Sequence, residues 1–268
     1  MDIIDKLKGS LYGFSIGDAM GATTEFMDAK EIKEKFGQVE DILGGGWLNL
    51  RIGDVTDDTQ MSICVMKALM KNDIDNFKRD VAENFSKWLD TEPKDVGNQC
   101  FKAINFYKVN QEYIYIDNTA LGNGSLMRAL PCALMNSKNS AKLNVLQGEI
   151  THNNEICADI IKRYTATIKA ALKNEELENK AEKLLPPSGY VINTFNNALY
   201  WSGKERFEEC IIGAVNHGGD ADTIAAIAGG IAGAEFGYSR IPSKWTSKIN
   251  KKTRDDLDEF LEYIIKSY

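Results

Sequence analysis

Residues Asp220 to Gly233 restrict what this chain can fold into more than any other stretch. Asn216-His217-Gly218-Gly219 forms a flexible approach to Asp220-Ala221-Asp222-Thr223. A run dominated by Ala225, Ala226, Ala228, Gly229, Gly230, Ala232 and Gly233 follows. Side chains this small let neighbouring backbones approach closely, so the pattern predicts a helix that is central and buried. Two aspartates at the mouth of a buried helix are costly unless their charge is compensated. A cation is the simplest compensation.

A second cluster of the same kind, Thr56-Asp57-Asp58-Thr59, opens another apolar stripe through Met61, Val65, Ala68 and Leu69. Taken alone it reads first as a helix start, with Thr56 as N-cap and acidic residues stabilising the macrodipole. Two adjacent carboxylates point in different directions around a helix, however, so both rarely serve one cap. Carboxylates and hydroxyls are hard donors suited to Mg²⁺, Mn²⁺ or Ca²⁺. If the two clusters converge, Asp57, Asp58, Asp220 and Asp222 balance two divalent ions in charge. Such pairs sit about 3.5–4 Å apart where they position oxygens of a phosphorylated substrate.

The rest of the chain reads as helical. A first helix runs from Ile3 into Gly17-Asp18-Ala19-Met20-Gly21. Further patterns cover Phe77 to Leu89, Gly97 to Tyr107, Glu155 to Leu172, Val191 to Trp201, Phe207 to Asn216, Ile224 to Phe236 and Asp255 to Ile265. In the last, Leu257, Phe260, Leu261 and Ile264 form an apolar face expected to pack on the core. Gln38-Val39 and Tyr113 to Ile116 are the short strand candidates, and Lys173 to Lys183 is expected to be an exposed helix end or loop. Breaks at Gly44-Gly45-Gly46, Gly122-Asn123-Gly124, Pro186 to Gly189 and Gly218-Gly219 are too short for interdomain linkers. The expectation is one all-α domain over residues 1–268.

Composition narrows the partners. A net charge of -7 argues against a surface built for nucleic acid. The nearest basic run, Lys248 to Arg254, is followed at once by Asp255 and Asp256 and reads as a solvated helix surface. No signal peptide and no apolar run of about 18–20 residues is visible, so no membrane span is expected. Five cysteines scattered singly suggest reduced, buried thiols in a cytoplasmic protein. With only His152 and His217, a histidine-rich metal site is excluded. Oligomeric state is not legible, and a monomer is assumed.

These residues together resemble the ADP-ribosylglycohydrolase family, the dinitrogenase-reductase-activating type in particular. The resemblance runs through Gly17 to Gly21 with Glu25-Phe26, Thr56 to Met61, Asp95-Val96-Gly97-Asn98, Gly122 to Arg128 and Thr151-His152. It continues with Ser188 to Val191, Gly218 to Thr223, and Ile241-Pro242 before Trp245. It implies a compact orthogonal helical bundle with a dinuclear Mg²⁺ or Mn²⁺ centre. The implied metal ligands are Thr56, Asp57, Asp58, Asp220, Asp222 and Thr223. Glu25 and Asp95 match the family's acidic catalytic positions, either being the general acid or base. Gly122, Asn123, Gly124, Ser125 and Met127, with His152 and Tyr190, match positions that bind ADP-ribose. His217 departs from the expected pattern and reads as a core or supporting histidine.

The resemblance implies hydrolysis of the bond joining ADP-ribose to an acceptor, with water activated by the cations. An ADP-ribosylated protein or a small ADP-ribose conjugate is the expected partner. Arginine is the favoured acceptor; serine, poly(ADP-ribose) or O-acetyl-ADP-ribose is the alternative. A non-catalytic ADP-ribose binder and a Mg²⁺-dependent phosphohydrolase cutting the pyrophosphate are the competing classes. The loops Gly44 to Ile52 and Asn110 to Asn118 are expected at the rim, where the acceptor is chosen.

Overall fold

The computed structural model describes residues 2–112, 121–176 and 181–268. Their helices are α1 (Ile3–Gly21), α2 (Ala29–Phe36), α3 (Asp57–Met70), α4 (Phe77–Leu89), α5 (Asn98–Asn110), α6 (Leu130–Leu134) and α7 (Ser140–Gly148). After these come α8 (Glu155–Lys173), α9 (Val191–Ser202), α10 (Phe207–His217), α11 (Ala221–Phe236), α12 (Ser243–Thr246) and α13 (Lys251–Ile264). Among the described residues there is no strand, only isolated bridges such as Asp28 with Gly218 and Gly122 with Tyr190. The fold is all-α, as the hydrophobic periodicity predicts.

The buried Ala/Gly helix is α11, and its main neighbour is α1. Glycines recur every fourth residue along α1, at Gly9, Gly13, Gly17 and Gly21. That spacing keeps them on one face, since i and i+4 stack above one another. A methyl group on Gly13 would lie 2.3 Å from the carbonyl oxygen of Gly229, and one on Gly17 would lie 2.1 Å from that of Ala225. At the two ends, Gly9 meets Gly233 and Gly21 meets Asp222, so the helices run antiparallel with their backbones in contact. The C-terminal end of α1 is thereby pressed against the first turn of α11.

Around this pair the remaining helices close one core. It takes residues from Leu7 on α1 to Phe260 and Ile264 on α13. The apolar face expected of the last helix is buried as read. The five cysteines are buried and none forms a disulfide. Two elements differ from expectation. Gln38-Val39 is not a strand: the Val39 backbone is held on both sides by the Asn216 side chain, at 2.9 and 2.8 Å. Helix α2 gives no periodic stripe because Ile32 is its one buried residue; a capping box between Asp28 and Glu31 starts it instead. Helices α6, α7 and α12 escape periodicity because they run for only five, nine and four residues. The candidate strand Tyr113 to Ile116 lies outside the described residues, as do parts of the Asn110 to Asn118 and Lys173 to Lys183 segments. Among the described residues, no helix is long and apolar enough to cross a membrane.

Candidate active site

Helix α1 sets the position of both acidic clusters. Its Asp18, fully buried, reaches the start of α3 and accepts hydrogen bonds from the Thr56 and Thr59 backbone amides at 3.0 and 3.1 Å. The Thr59 hydroxyl donates to the same carboxylate. Thr56 caps α3 as expected, its hydroxyl accepting from the Asp58 amide at 3.3 Å. The start of α11 is placed differently. Gly218 and Gly219 both take left-handed conformations, with φ of 78° and 65°, and thread between Met27 and Pro187. Backbone hydrogen bonds from Phe26 to Gly219 and from Gly219 to Met27 tie this passage to the turn that carries Glu25.

The two clusters meet. The Thr223 hydroxyl donates to Asp58 Oδ1 at 3.3 Å, joining the α11 motif to the α3 motif. Glu25, Asp95 and Asp222 each bring a carboxylate oxygen within 4.8 Å of the others. Asp57 accepts from the Gly97 amide at 3.3 Å, which links the start of α3 to the start of α5 beside Asp95. Asp95 itself does not cap α5; Gly97 is the N-cap residue and no side-chain cap is made there.

So many carboxylates in one buried place repel each other and resist ionisation. Burial pushes Glu25 up to about 8, with Asp95 and Asp220 adding to the rise. Burial likewise brings Asp18 and Asp220 to about 6. Asp57, Asp58 and Asp222 are held well above the carboxylate range by burial first. Asp95, Asp222 and Glu25 respectively are the strongest neighbouring charges on them. Asp58 Oδ2 and Asp222 Oδ1 are buried with no hydrogen-bond partner. Orphaned carboxylate oxygens are rare because each one costs a desolvation penalty. They fit a site for hard cations, which need oxygen donors of this kind.

A cavity of about 270 Å³ opens over the carboxylates, lined by Glu25, Asp57, Asp58, Asp95, Asp220, Asp222 and Thr223. Gly122, Asn123, Gly124, Met127 and His152 form one wall, and Phe26 with Gly97 to Cys100 forms the rest of the lining. Gly124 has no room for a side chain, since a methyl group there would stand 2.7 Å from the His152 ring. The fully buried Arg128 clamps this wall, donating to the Gly124 carbonyl and the Thr151 hydroxyl, both at 2.7 Å. Thr151 Oγ1 in turn lies 2.8 Å from His152 Nδ1. Asn123 donates to Asp220 Oδ2 and, at 3.0 Å, to Thr194.

Some predicted residues stand elsewhere. Ser125 is fully buried and Tyr190 is half exposed; neither is among the cavity-lining residues. Tyr190 is joined to the wall through its backbone bridge with Gly122. Thr56 lines an adjoining groove of about 620 Å³, which also shares Asp95. His217 packs edge-on to Trp201 and lies away from the cavity, in keeping with a core histidine. Asp18, Phe26 and Arg128 stand inside the matched motifs and Trp47 inside the expected rim loop, but the sequence assigns none of them a role. Asp18 was visible as a lone carboxylate in an otherwise apolar helix end. The Trp47 indole, which donates to Glu25 Oε2 at 2.6 Å, carries no local signal.

Comparison with known proteins agrees with this geometry. The family model described as ADP-ribosylglycohydrolase matches residues 1–186 and 161–268. The ADP-ribosyl-[dinitrogen reductase] glycohydrolase of Rhodospirillum rubrum is 34% identical, across 94% of this chain and 93% of that protein. The ADP-ribosylarginine hydrolase Tri1 of Pseudomonas putida (strain GB-1) is 29% identical, across 92% of this chain and 74% of its own. A solved ADP-ribosylglycohydrolase-related protein complex superposes with a TM-score of 0.84 at 25% identity, covering 99% of each chain.

Proposed function

The chain belongs to the ADP-ribosylglycohydrolase family, and from that premise we propose that it hydrolyses the N-glycosidic bond between ADP-ribose and a protein arginine. The observation that carries the metal-dependent form of this reading is the orphaned pair Asp58 Oδ2 and Asp222 Oδ1. Asp57, Asp58, Asp220 and Asp222, with Thr56 and Thr223, would hold two divalent cations, Mg²⁺ or Mn²⁺. When bound, these supply Lewis acidity and neutralise the carboxylates.

The chain's own residues do the rest. The Gly122 to Gly124 wall, with no room for a side chain at Gly124 against His152, admits the backbone close to a ligand and offers amide donors to a diphosphate. Arg128 keeps that wall in place from behind. Positive charge develops at the anomeric carbon as the C–N bond breaks, and the surrounding carboxylates stabilise it. Water supplies the incoming oxygen. The departing guanidine needs a proton, which Glu25 or Asp95 delivers; Glu25 is the more buried of the two and holds its proton to a higher pH than a free carboxyl. One continuous core from α1 to α13 supports reading the chain as a single domain.

The test is incubation with arginine-linked and serine-linked ADP-ribosyl substrates in Mg²⁺, with release of intact ADP-ribose measured. Faster release from arginine is expected. Release from serine alone would transfer the activity to O-linked conjugates. Formation of AMP would make the protein a phosphohydrolase, and tight ADP-ribose binding without any release would make it a reader.

A further inference from the structure

Two large aromatic side chains stand open to solvent at the lip of the cavity. Phe26 is 67% exposed and Trp47 is 53% exposed, with ring centroids 5.3 Å apart and planes tilted by 50°. Single exposed apolar residues are ordinary; here two rings lie together beside a cluster of carboxylates. Both rings are deliberately held there. Phe26 sits at φ 63°, a left-handed conformation unfavourable for a bulky residue. Its amide donates to the Gly219 carbonyl at 2.7 Å, which anchors its backbone to the passage leading into Asp220, and both residues line the cavity.

Trp47 belongs to a loop built to present it. Gly44, Gly45 and Gly46 are all at positive φ, and reciprocal Gly45–Leu50 hydrogen bonds of 2.8 and 2.9 Å close the loop. Gly46 lies so tightly on the Ala22 carbonyl that a methyl group would come within 2.0 Å of it, and Thr23 donates to the Gly44 carbonyl. On its other side, Lys94 donates to the carbonyls of Leu48 and Asn49 at 3.3 and 3.0 Å. The loop therefore bridges the turn that carries Glu25 and the segment that carries Asp95. The indole N–H then seats on Glu25 itself.

We propose that Phe26 and Trp47 form the acceptor subsite, a two-ring platform on which the guanidinium of the modified arginine lies. This rests on the hydrolase reading above. A planar, weakly hydrated cation is attracted to ring faces and to the adjoining carboxylates at once, whereas a serine hydroxyl offers neither interaction. Trp47 is also a positioning residue, acting on the reaction through its hydrogen bond to Glu25. The other planar group that could occupy the rings is the adenine of ADP-ribose, and the experiment separates the two.

The full-length protein and its Phe26→Leu, Trp47→Leu and Trp47→Phe variants would be compared in three measurements. These are KM and kcat with ADP-ribosyl-arginine, the calorimetric Kd for ADP-ribose, and the NMR-detected binding of methylguanidinium against neutral methylurea in the presence of ADP-ribose and Mg²⁺. Phe26→Leu and Trp47→Leu are expected to raise KM on the order of tenfold and to weaken methylguanidinium, leaving the ADP-ribose Kd within about twofold. Trp47→Phe keeps a ring and loses the donor, so it should restore KM while lowering kcat. A parallel loss of ADP-ribose affinity would give the rings to adenine and overturn the proposal. So would methylguanidinium binding that is unchanged in Phe26→Leu or no stronger than methylurea. If the unmodified protein fails to cleave the arginine conjugate, the hydrolase reading falls by itself, and methylguanidinium binding still decides the subsite.

Discussion

The first turns of α3 and α11 look alike in sequence and are secured by opposite means. The α3 motif is held by side chains: Thr56 caps it, and Asp18 braces two of its amides and a hydroxyl. The α11 motif has no side-chain cap at Asp220. It is placed by backbone, through the Gly218-Gly219 passage and the glycine face of α1. One cluster can therefore be loosened by removing a polar group, the other only by adding bulk. Of the carboxylates that face the cavity, Asp57 holds the Gly97 amide, Asp58 the Thr223 hydroxyl, Glu25 the Trp47 indole and Asp220 the Asn123 side-chain amide. Asp58 Oδ2 and Asp222 Oδ1 stay without a hydrogen-bond partner.

The sharpest break comes at Asp222. Asp222→Ala should cost turnover at least about a thousandfold, as for loss of a central electrostatic group. It should also abolish the rise in Tm that Mg²⁺ or Mn²⁺ gives the parent protein. Because it removes a repelling buried carboxylate, the metal-free variant should melt no lower than the metal-free parent. A variant that keeps its metal response would contradict the ligand assignment.

Bulk on the α1 glycine face should strike α11 selectively. Gly17→Ala pushes a methyl group into the Ala225 carbonyl and should destabilise the fold by about 3 kcal/mol in urea. A cost near zero would mean that the two backbones do not touch as described.

Polar deletions should then separate the two motifs. Asp18→Ala should cost about 2 kcal/mol of stability by orphaning the start of α3. Asn123→Ala, which touches only the Asp220 side of the pair, should leave stability nearly unchanged and weaken divalent-metal affinity about tenfold. Calorimetric metal titration beside urea unfolding reads both, and an exchange of the two outcomes would reverse the comparison.

The smallest effect is the pH dependence. Asp18 and Asp220 titrate at about 6 and Glu25 at about 8 in the folded protein, against about 4 when unfolded. The metal-free fold thus binds protons more tightly than the unfolded chain does. The stability these groups contribute is complete below about pH 4 and is lost as pH rises through 6 and then 8. A cation relieves the repulsion, so the gap in Tm between Mg²⁺-loaded and metal-free protein should widen from pH 5.5 to pH 8.5. A gap that stays flat would show that the carboxylates do not carry it.

Much of this molecule was legible along the chain because the signals are local. Hydrophobic stripes located α4 and α8 to within a residue at each end, since a 3.6-residue period is written into neighbouring positions. Both acidic motifs announced helix starts, and the Ala/Gly run announced a buried helix. The glycine spacing of α1 was equally visible, yet it does not say which helix it faces.

What the sequence by itself determined was therefore a set of helices, two acidic first turns and one helix that had to be central. Only the tertiary structure decided that the turns meet. It did so through Gly21 on Asp222, Asp18 on Thr56, and Thr223 on Asp58. It also gave Glu25 its indole partner and left Phe26 and Trp47 open beside it. The physical reason is distance along the chain. A carboxylate can announce that it needs a partner, but its own neighbours do not record which remote residue answers, because that depends on how closely two distant backbones pack.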